Sequence, residues 1–376
     1  MSKQESGERL SEPSQKLVGQ QWRNARVIIN LDALSHNLTK VKEYAPHSQV
    51  MAVIKANAYG HGMLAVAAQL EQADMFAVAM PEEAFVLRAD GCTKPILVLH
   101  GFNTVNDLEK FTSLGISTVV RHRKQLTILQ EHELSSPVDA WLKVDTGMHR
   151  LGVSIDQVDE YFGLLRKTSN VSRVYVMSHF ANAEDAEHLS NIKQLEGFIK
   201  ITNDIDSDCS MANSAAIIRM PESHFEVVRP GIMLYGASPL DDVSAAELGL
   251  QAVMQFESEL MDVRWLHAGE ALGYGGAFVA DSDMSIGVVA AGYGDGYPRH
   301  AQNGTPVWIN GQCCRLVGRV SMDSICIDLT GISASIGDRV VLWGEELSVD
   351  EVAQASSSIS YELLCHTGAA YFSYQG

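Results

Sequence analysis

Short apolar runs alternate with longer amphipathic stretches from about residue 23 to residue 245 of the chain. Eight of these runs have the length and the apolar or β-branched composition of buried strands, and residues 27–31 form a further run before them. The eight runs are residues 50–54, 75–79, 95–99, 117–120, 140–144, 174–177, 208–211 and 225–228. Strands that alternate with helices in this way predict repeated βα units and a parallel sheet.

Several of these runs lead directly into polar residues, where a parallel sheet would place its carboxyl ends. The polar residues are Lys55, His100, Asp145, His179, Asn213 and Arg229. Eight parallel strands separated by helices predict an α/β fold with a (β/α)8 TIM barrel, whose catalytic groups lie at the C-terminal strand ends. The alternative is a doubly wound open sheet, but such a sheet usually has a glycine-rich turn after its first strand, where this chain has Lys55.

The pattern changes after about residue 245, where short apolar runs are separated by Gly, Asp and Asn turns without a long helical period. We therefore predict that residues 23–245 form the barrel and that residues 246–376 form a mostly β domain. Residues 1–22 are polar and rich in Ser, Gln and Glu, which is typical of a flexible N-terminal extension.

Charge and composition exclude several classes of partner. The 376 residues carry 28 Lys and Arg against 46 Asp and Glu, a formal net charge of −18, which disfavours binding to nucleic acid or to an anionic membrane. No apolar stretch approaches the length that spans a bilayer. The six cysteines include no C-x-x-C pair, so we expect free thiols and a cytoplasmic protein. No metal-binding motif such as H-E-x-x-H occurs, and no metal is expected.

Lys55 stands in the segment AVIKANAYGHG, residues 52–62, between an aliphatic run and two glycines. A primary amine at the end of a buried strand can attack a carbonyl group and form a Schiff base with an aldehyde cofactor. The alternative is a lysine that only caps the strand and extends into solvent.

Two later loops carry the residue types that bind phosphate. TIM barrels often hold a phosphate group in the loops after strands seven and eight, and here these loops contain Asn213-Ser214-Ala215 and Arg229-Pro230-Gly231-Ile232. Ser214 supplies a hydroxyl group, and Gly231 lets the backbone approach an anion. The alternative for each segment, and the one favoured when the segment is taken alone, is a turn or a helix cap.

Several segments resemble pyridoxal-phosphate-dependent alanine racemases of fold type III, in the family's order and over residues 26–364. They read AVIKANAYGHG, WLKVDTGMHRLG, NSA, VVRPGIMLYG, LGYG, GYGDGYPR and VGRVSMDS. The resemblance implies a barrel that binds pyridoxal 5'-phosphate and an enzyme that interconverts L- and D-alanine for peptidoglycan. It departs at the polar leader and after SYELLC, where HTGAAYFSYQG replaces an Arg-Val-Pro segment common in the family.

The resemblance also implies how the cofactor is held. Lys55 would bind its aldehyde, and Arg229 would face its pyridine nitrogen, with His179 against both the cofactor and this arginine. Because a guanidinium group does not give up a proton, the pyridine nitrogen would stay unprotonated, which favours racemisation over transamination. The residues implied around the phosphate are Tyr59, Asn213, Ser214, Gly231, Ile232 and Tyr361.

Racemisation needs proton-transfer groups on both faces of Cα, and the resemblance implies Lys55 on one face and Tyr274 on the other. Tyr274 and Met322 would come from a second subunit, giving a head-to-tail homodimer with composite active sites. We hypothesise that Lys143 is carbamylated and holds Arg150 in place. The residues implied around the alanine carboxylate are Arg150, Tyr293, Met322 and Asp323.

Two alternatives remain at the level of the sequence. One is another enzyme of the same cofactor fold, either an amino-acid decarboxylase or a racemase of broader specificity. A decarboxylase must release the α-carboxylate that Arg150 and Met322 would anchor. The other is a cofactor-carrying regulatory protein without catalysis, against which the β domain and Tyr274 argue.

Overall fold

The computed structural model describes residues 24–185, 187–367 and 371–376, so the predicted N-terminal extension, residues 1–22, lies outside the described residues. The strands of the first half are β1 (Arg26–Asn30), β2 (Gln49–Val53), β3 (Met75–Val78), β4 (Ile96–Val98), β5 (Ile116–Val120), β6 (Val138–Asp145), β7 (Val153–Ser154), β8 (Val171–Met177), β9 (Cys209–Ser210) and β10 (Val227–Val228). The strands of the second half are β11 (Met254–Leu266), β12 (Ala271–Leu272), β13 (Phe278–Val279), β14 (Met284–Val289), β15 (Pro306–Ile309), β16 (Gln312–Val317), β17 (Ile325–Asp328), β18 (Arg339–Trp343) and β19 (Tyr371–Gln375).

The α-helices in the described ranges lie mostly between the strands of the first half. They are α1 (Leu31–Tyr44), α2 (Lys55–Tyr59), α3 (Met63–Gln69), α4 (Pro81–Ala89), α5 (Val105–Leu114), α6 (Arg123–Glu131), α7 (Val158–Lys167), α8 (Leu189–Thr202), α9 (Ser214–Arg219), α10 (Val349–Ala355) and α11 (Ser360–Cys365). The segment named α2 is a single turn whose backbone is not right-handed.

Eight strands form a parallel barrel in the order β10-β2-β3-β4-β5-β6-β8-β9. A parallel bridge between Asn213 and Arg229 links the end of β9 to the end of β10, and the Arg229 amide donates to the Ala212 carbonyl at 2.9 Å. The eight predicted runs coincide with these strands to within a few residues. The predicted (β/α)8 barrel is therefore confirmed.

Most of the barrel strands are buried on both faces, which explains why their sequences are continuous apolar runs rather than alternating ones. The exception is β8, whose Ser172 and Arg173 are exposed. In β2, for example, Val50, Met51 and Ala52 are fully buried. Each helix buries one face; in α5, for example, the side chains of Leu108 and Phe111 are buried. This helix is capped at its N-terminus by Thr104, whose side chain accepts a hydrogen bond from the Asp107 amide.

The second half forms a separate, mostly β sheet in the order β14-β17-β16-β15-β18-β11-β1-β19. Because the long strand β11 also pairs with β14, part of this sheet closes on itself. The predicted mostly β architecture is confirmed, with the short helices α10 and α11 near its end. Strand β1 pairs with β11 and β19 in this sheet instead of joining the barrel.

The two sheets share one continuous hydrophobic core that contains Phe76 of the barrel and Phe256 and Trp343 of the β sheet. Helix α11 lies against the α2 turn, which brings the C-terminal part of the chain to the barrel mouth. In the described part of the chain, no helix combines the length and apolarity that crossing a membrane requires. All six cysteines fall within the described ranges, and none forms a disulfide.

Candidate active site

A cavity of about 450 Å³ opens at the C-terminal ends of the barrel strands, the size of a small-molecule site. It brings together most of the residues that the sequence singled out. Those that line it are Lys55, Tyr59, Lys143, Arg150, His179, Asn213, Ser214, Arg229, Gly231, Ile232 and Tyr361.

Lys55 is carried into this cavity by a turn of left-handed helix. Residues Ala56, Asn57, Ala58 and Tyr59 all have φ between 52° and 55°. The Asn57 side chain supports the turn by accepting a hydrogen bond from the Met63 amide at 2.9 Å. Four consecutive left-handed residues other than glycine are unfavourable, and such strain tends to persist where the surroundings enforce it, often at functional sites.

The Lys55 amine is partly desolvated and lies among charged groups. Burial, followed by the positive charge of Arg150, lowers the pKa of Lys55, while Glu83 and the Cys365 thiol act in the opposite direction. A lowered pKa leaves more of the amine neutral, which is the form that attacks a carbonyl group.

Phenol groups lie beside Lys55. The Tyr59 ring stacks on Tyr235 with centroids 4.7 Å apart and lies 6.0 Å from the Tyr361 ring. Burial, and then Tyr361, raise the pKa of Tyr59 far above neutrality, while burial, Glu184 and Asp350 raise that of Tyr361 to about 12. Both phenols therefore stay protonated near neutral pH and can donate hydrogen bonds to an anion.

The loops after β9 and β10 meet at Ser214. Its Oγ atom accepts hydrogen bonds from the Gly231 amide at 2.8 Å and the Met233 amide at 3.4 Å, so its own proton remains available to an anion. A Cβ atom at Gly231 would lie 2.5 Å from the Tyr59 hydroxyl oxygen. Only glycine allows the phenol to approach this loop so closely.

Arg229 is 4% exposed and holds three neighbouring strand ends together. Its Nη1 donates to Ser210 Oγ at 2.5 Å, and its Nη2 donates to the Ser178 carbonyl at 2.5 Å and the Met211 carbonyl at 3.2 Å. Nη2 also lies 3.3 Å from Nδ1 of His179. Burial lowers the pKa of Arg229 to about 10, so the guanidinium remains charged at neutral pH.

Lys143 and Arg150 approach the cavity from β6 and the loop that follows it. Burial, with the charges of Arg229 and Arg150, holds the pKa of Lys143 well below its usual value. In the loop, the Asp145 carboxylate accepts hydrogen bonds from the Gly147 and His149 amides at 2.9 and 3.0 Å. This arrangement places Arg150 at the exposed rim of the cavity.

The predicted site residues of the β domain lie elsewhere on the described chain. Tyr274, Tyr293 and Met322 are 69%, 40% and 54% exposed, and Asp323 is exposed as well; none of them lines the barrel cavity. The segments of Tyr293 and Met322 are neighbours, because the Tyr293 amide donates to the Ser321 carbonyl and the Gly294 amide to the Met322 carbonyl. The Tyr274 segment lies near the same loop, since a Cβ atom at Gly275 would lie 3.5 Å from the Arg319 guanidinium group. They form one surface of the β domain, which we call the β-domain face.

Three residues of this site carry no signal that the sequence reasoning used. Tyr235 stacks under Tyr59 and donates to the Val53 carbonyl at 3.0 Å. Gln194 of α8 is buried and bonds the His179 carbonyl and the Ala181 amide, each at 3.0 Å. The Glu83 carboxylate accepts a hydrogen bond from the Ala56 amide at 2.6 Å. A polar residue on a helix looks the same in sequence whether it supports a site or faces solvent.

The cavity residues fit a cofactor with an aldehyde, a phosphate group and a ring nitrogen that accepts hydrogen bonds. Lys55 offers a desolvated amine, Tyr59 and Ser214 offer hydroxyl donors, and Arg229 offers a charged donor. Among the described residues, no cluster of His, Cys, Asp or Glu could hold a metal ion.

Comparison with known proteins gives a consistent result across both halves of the chain. The family model "Alanine racemase, N-terminal domain" matches residues 29–239, and "Alanine racemase, C-terminal domain" matches residues 253–373. The biosynthetic alanine racemase of Escherichia coli is 48% identical over 344 residues, which cover 90% of this chain and 96% of that protein. The alanine racemase of Vibrio parahaemolyticus is 46% identical over 342 residues, covering 90% and 96%.

Solved structures of alanine racemases are also similar to this chain. The biosynthetic alanine racemase of Pseudomonas aeruginosa is similar with a TM-score of 0.92 and 41% identity, over 94% of this chain and 100% of that chain. The alanine racemase of Bartonella henselae, solved with covalently bound pyridoxal phosphate, is similar with a TM-score of 0.83 and 31% identity, over 94% and 99%.

Proposed function

This chain belongs to the alanine racemase family, and from that premise we propose how its own residues interconvert L- and D-alanine. The observation that carries the proposal is that Lys55, Arg229 and the hydroxyl of Ser214 line one cavity at the barrel mouth. Pyridoxal phosphate, when bound, supplies an aldehyde for an amine and an electron-withdrawing ring that makes the Cα proton of an amino acid more acidic.

We propose that Lys55 would hold the cofactor aldehyde and that Arg229 would face its ring nitrogen, with His179 beside them. The guanidinium keeps its proton at working pH, so Arg229 would donate a hydrogen bond to this nitrogen without transferring a proton to it. The proposed phosphate ligands are Tyr59, Asn213, Ser214, Gly231, Ile232 and Tyr361.

Lys55 then moves a proton on one face of Cα, and Arg150 at the cavity rim anchors the alanine carboxylate. The other face requires a second group, which we propose is Tyr274 of the partner subunit. The exposed β-domain face supports this, because large apolar and aromatic side chains in exposed positions are typical of interfaces. The substrate pocket would be completed by the partner's Tyr293, the partner's Met322 and the partner's Asp323.

These residues imply a homodimer with composite active sites, in which each cavity is incomplete without the β-domain face of a second copy. We also propose that Lys143 is carbamylated. Since its pKa is held well below the usual value, a larger share of its amine is in the neutral form, which is the form that reacts with carbon dioxide. We propose a cytoplasmic location and a role in D-alanine supply for peptidoglycan.

The test of this function is to incubate the loaded enzyme with L-alanine in deuterium oxide. We expect D-alanine to form with deuterium at Cα, and we expect the Lys55→Arg variant, which keeps a cation but cannot form the covalent bond, to form none. L-alanine that keeps both its configuration and its Cα proton would contradict the proposal. Release of carbon dioxide would indicate a decarboxylase instead.

A further inference from the structure

Glu83 makes an unusual set of contacts next to the left-handed turn that carries Lys55. It lies in the first turn of α4, and its Oε1 atom accepts a hydrogen bond from the Ala56 amide at 2.6 Å. Its Oε2 atom accepts hydrogen bonds from the Ala79 amide at 2.8 Å and the Met80 amide at 3.0 Å. One carboxylate therefore ties the end of β2 to the end of β3.

The contact with Ala56 matters because this residue directly follows Lys55 and begins the left-handed turn. An L-residue adopts this conformation only when its surroundings enforce it. The Glu83 carboxylate contributes by fixing the first amide of the turn from outside. Any shift of that amide would move the Lys55 side chain relative to the rest of the cavity.

Glu83 also differs in charge from the other groups that interact with Lys55. Arg150 of the β6 loop acts to lower the pKa of Lys55, whereas Glu83 raises it more than the Cys365 thiol of α11 does. His100 after β4 and His179 after β8 also interact with Lys55, whose positive charge lowers their own pKa values. Among these groups Glu83 is thus the carboxylate, and it opposes the effect of burial and of Arg150 on the Lys55 amine.

We propose that Glu83 is a positioning residue for Lys55, which fixes the backbone at Ala56 and stabilises the protonated amine with its negative charge. This inference rests on the proposed function, because it takes Lys55 as the group that exchanges protons with Cα. A lysine in that role must hold a proton in one half of the reaction and release it in the other. A nearby carboxylate keeps the protonated form accessible in a site where burial and Arg150 oppose it.

The test compares Glu83→Gln, Glu83→Asp and the control Glu82→Gln. Glu82 is an exposed neighbour in the same helical turn. Two readouts are needed: the pH dependence of kcat/KM in both reaction directions, and the pH dependence of the rate at which the apoprotein captures pyridoxal phosphate. The second does not require a catalytically competent enzyme.

In Glu83→Gln we expect kcat to fall by about 10- to 100-fold, because the shape is kept but the charge and one acceptor are lost. The capture rate and the kcat/KM limb that reports Lys55 should both move to lower pH. Glu83→Asp keeps the charge but its side chain is one methylene shorter. Its kcat should therefore be lower, while the pH dependences of the capture rate and of kcat/KM should stay close to those of the wild type. Glu82→Gln should match the wild type.

The inference is wrong if the pH dependences of kcat/KM and of the capture rate are the same in Glu83→Gln as in the wild type. It is also wrong if Glu82→Gln shifts them as far as Glu83→Gln does. Wild-type kcat in Glu83→Asp would contradict the positioning role, and this holds even if Glu83→Gln does not fold. Failure of the proposed function would look different, because the wild type itself would then form no D-alanine.

Discussion

Nη2 of Arg229 lies 3.3 Å from Nδ1 of His179, a contact in which a guanidinium group can only donate and the imidazole nitrogen can only accept. A ring nitrogen that accepts a hydrogen bond carries no proton, and burial, Lys143 and Arg229 together hold the pKa of His179 well below its usual value. His179 is therefore neutral, and Arg229 is the cation at this end of the cavity.

Reversing the charge at Arg229 should change the outcome of the reaction. In Arg229→Glu, a carboxyl group replaces the donor that we place against the ring nitrogen, so this nitrogen could be protonated and transamination would be favoured. We expect racemisation to fall by about 100-fold or more, since a charged donor is lost from a buried site. Pyruvate should appear as a side product. Arg229→Lys, which keeps a cation, is the control, and equal pyruvate formation in both variants would contradict the role of Arg229.

His61 should make the fold sensitive to acid. It is fully buried, its Nδ1 donates to the Ala58 and Tyr59 carbonyls at 3.0 and 2.9 Å, and burial lowers its pKa from 6.5 to about 4. The unfolded chain therefore binds a proton near pH 6.5 that the folded chain takes up only near pH 4. The free energy of unfolding should fall as the pH drops through this window.

When the pH falls from about 7 to about 5, the free energy of unfolding of the wild type should fall by about 2 kcal/mol more than that of a His61→Gln variant, whose residue 61 cannot titrate. Urea unfolding at the two pH values measures the difference. A wild type and variant with the same pH dependence would show that His61 is accessible to protons in the folded state.

An added methyl group at Gly231 should weaken cofactor binding. The Cβ atom of alanine would lie 2.5 Å from the Tyr59 hydroxyl oxygen and force the phenol away from the proposed phosphate site. Loss of one hydrogen bond to a charged group corresponds to about 10- to 100-fold in the dissociation constant of pyridoxal phosphate. Gly163→Ala is the control, because nothing lies within 4 Å of its Cβ position. Equal affinity in the two variants would argue against a phosphate contact by Tyr59.

Lys143 should react with carbon dioxide. Burial and the charges of Arg229 and Arg150 lower the pKa of its amine, and a carbamate there would place a negative charge beside these two arginines. With labelled bicarbonate, we expect a carbamate carbon signal in the NMR spectrum of the wild type that is missing from Lys143→Met. Identical spectra would rule out the modification. An unmodified amine in a well-resolved crystal structure would do the same.

The barrel could be predicted because most of its strands are buried on both faces and appear in the sequence as apolar runs. The placement of β1 could not be predicted, because its apolar pattern is the same whether it pairs with β2 or with β11 and β19. The structure shows that it pairs with β11 and β19. Strand β16 has no continuous apolar run to mark it in the sequence, because its first four residues, which include Cys313 and Arg315, are largely exposed.

Within the site, residues at strand ends were found because a parallel barrel brings them together. The left-handed turn from Ala56 to Tyr59 was not foreseen, because these residues individually favour other conformations. Glu83 was missed for a related reason: a glutamate in the first turn of a helix is usually explained by the helix itself. The role that we propose for Tyr274 rests on the family resemblance alone, since the pattern of one chain does not encode which surfaces meet a second copy.

The central claim is that Lys55 of one subunit and Tyr274 of the partner subunit serve the same active site. It is tested most directly by mixing subunits that carry Lys55→Ala with subunits that carry Tyr274→Phe. Each variant alone should be nearly inactive. Random pairing of equal amounts should restore about a quarter of the wild-type activity, because half of the dimers then contain one intact site. Mixtures as inactive as the separate variants, or a Tyr274→Phe dimer as active as the wild type, would contradict the claim.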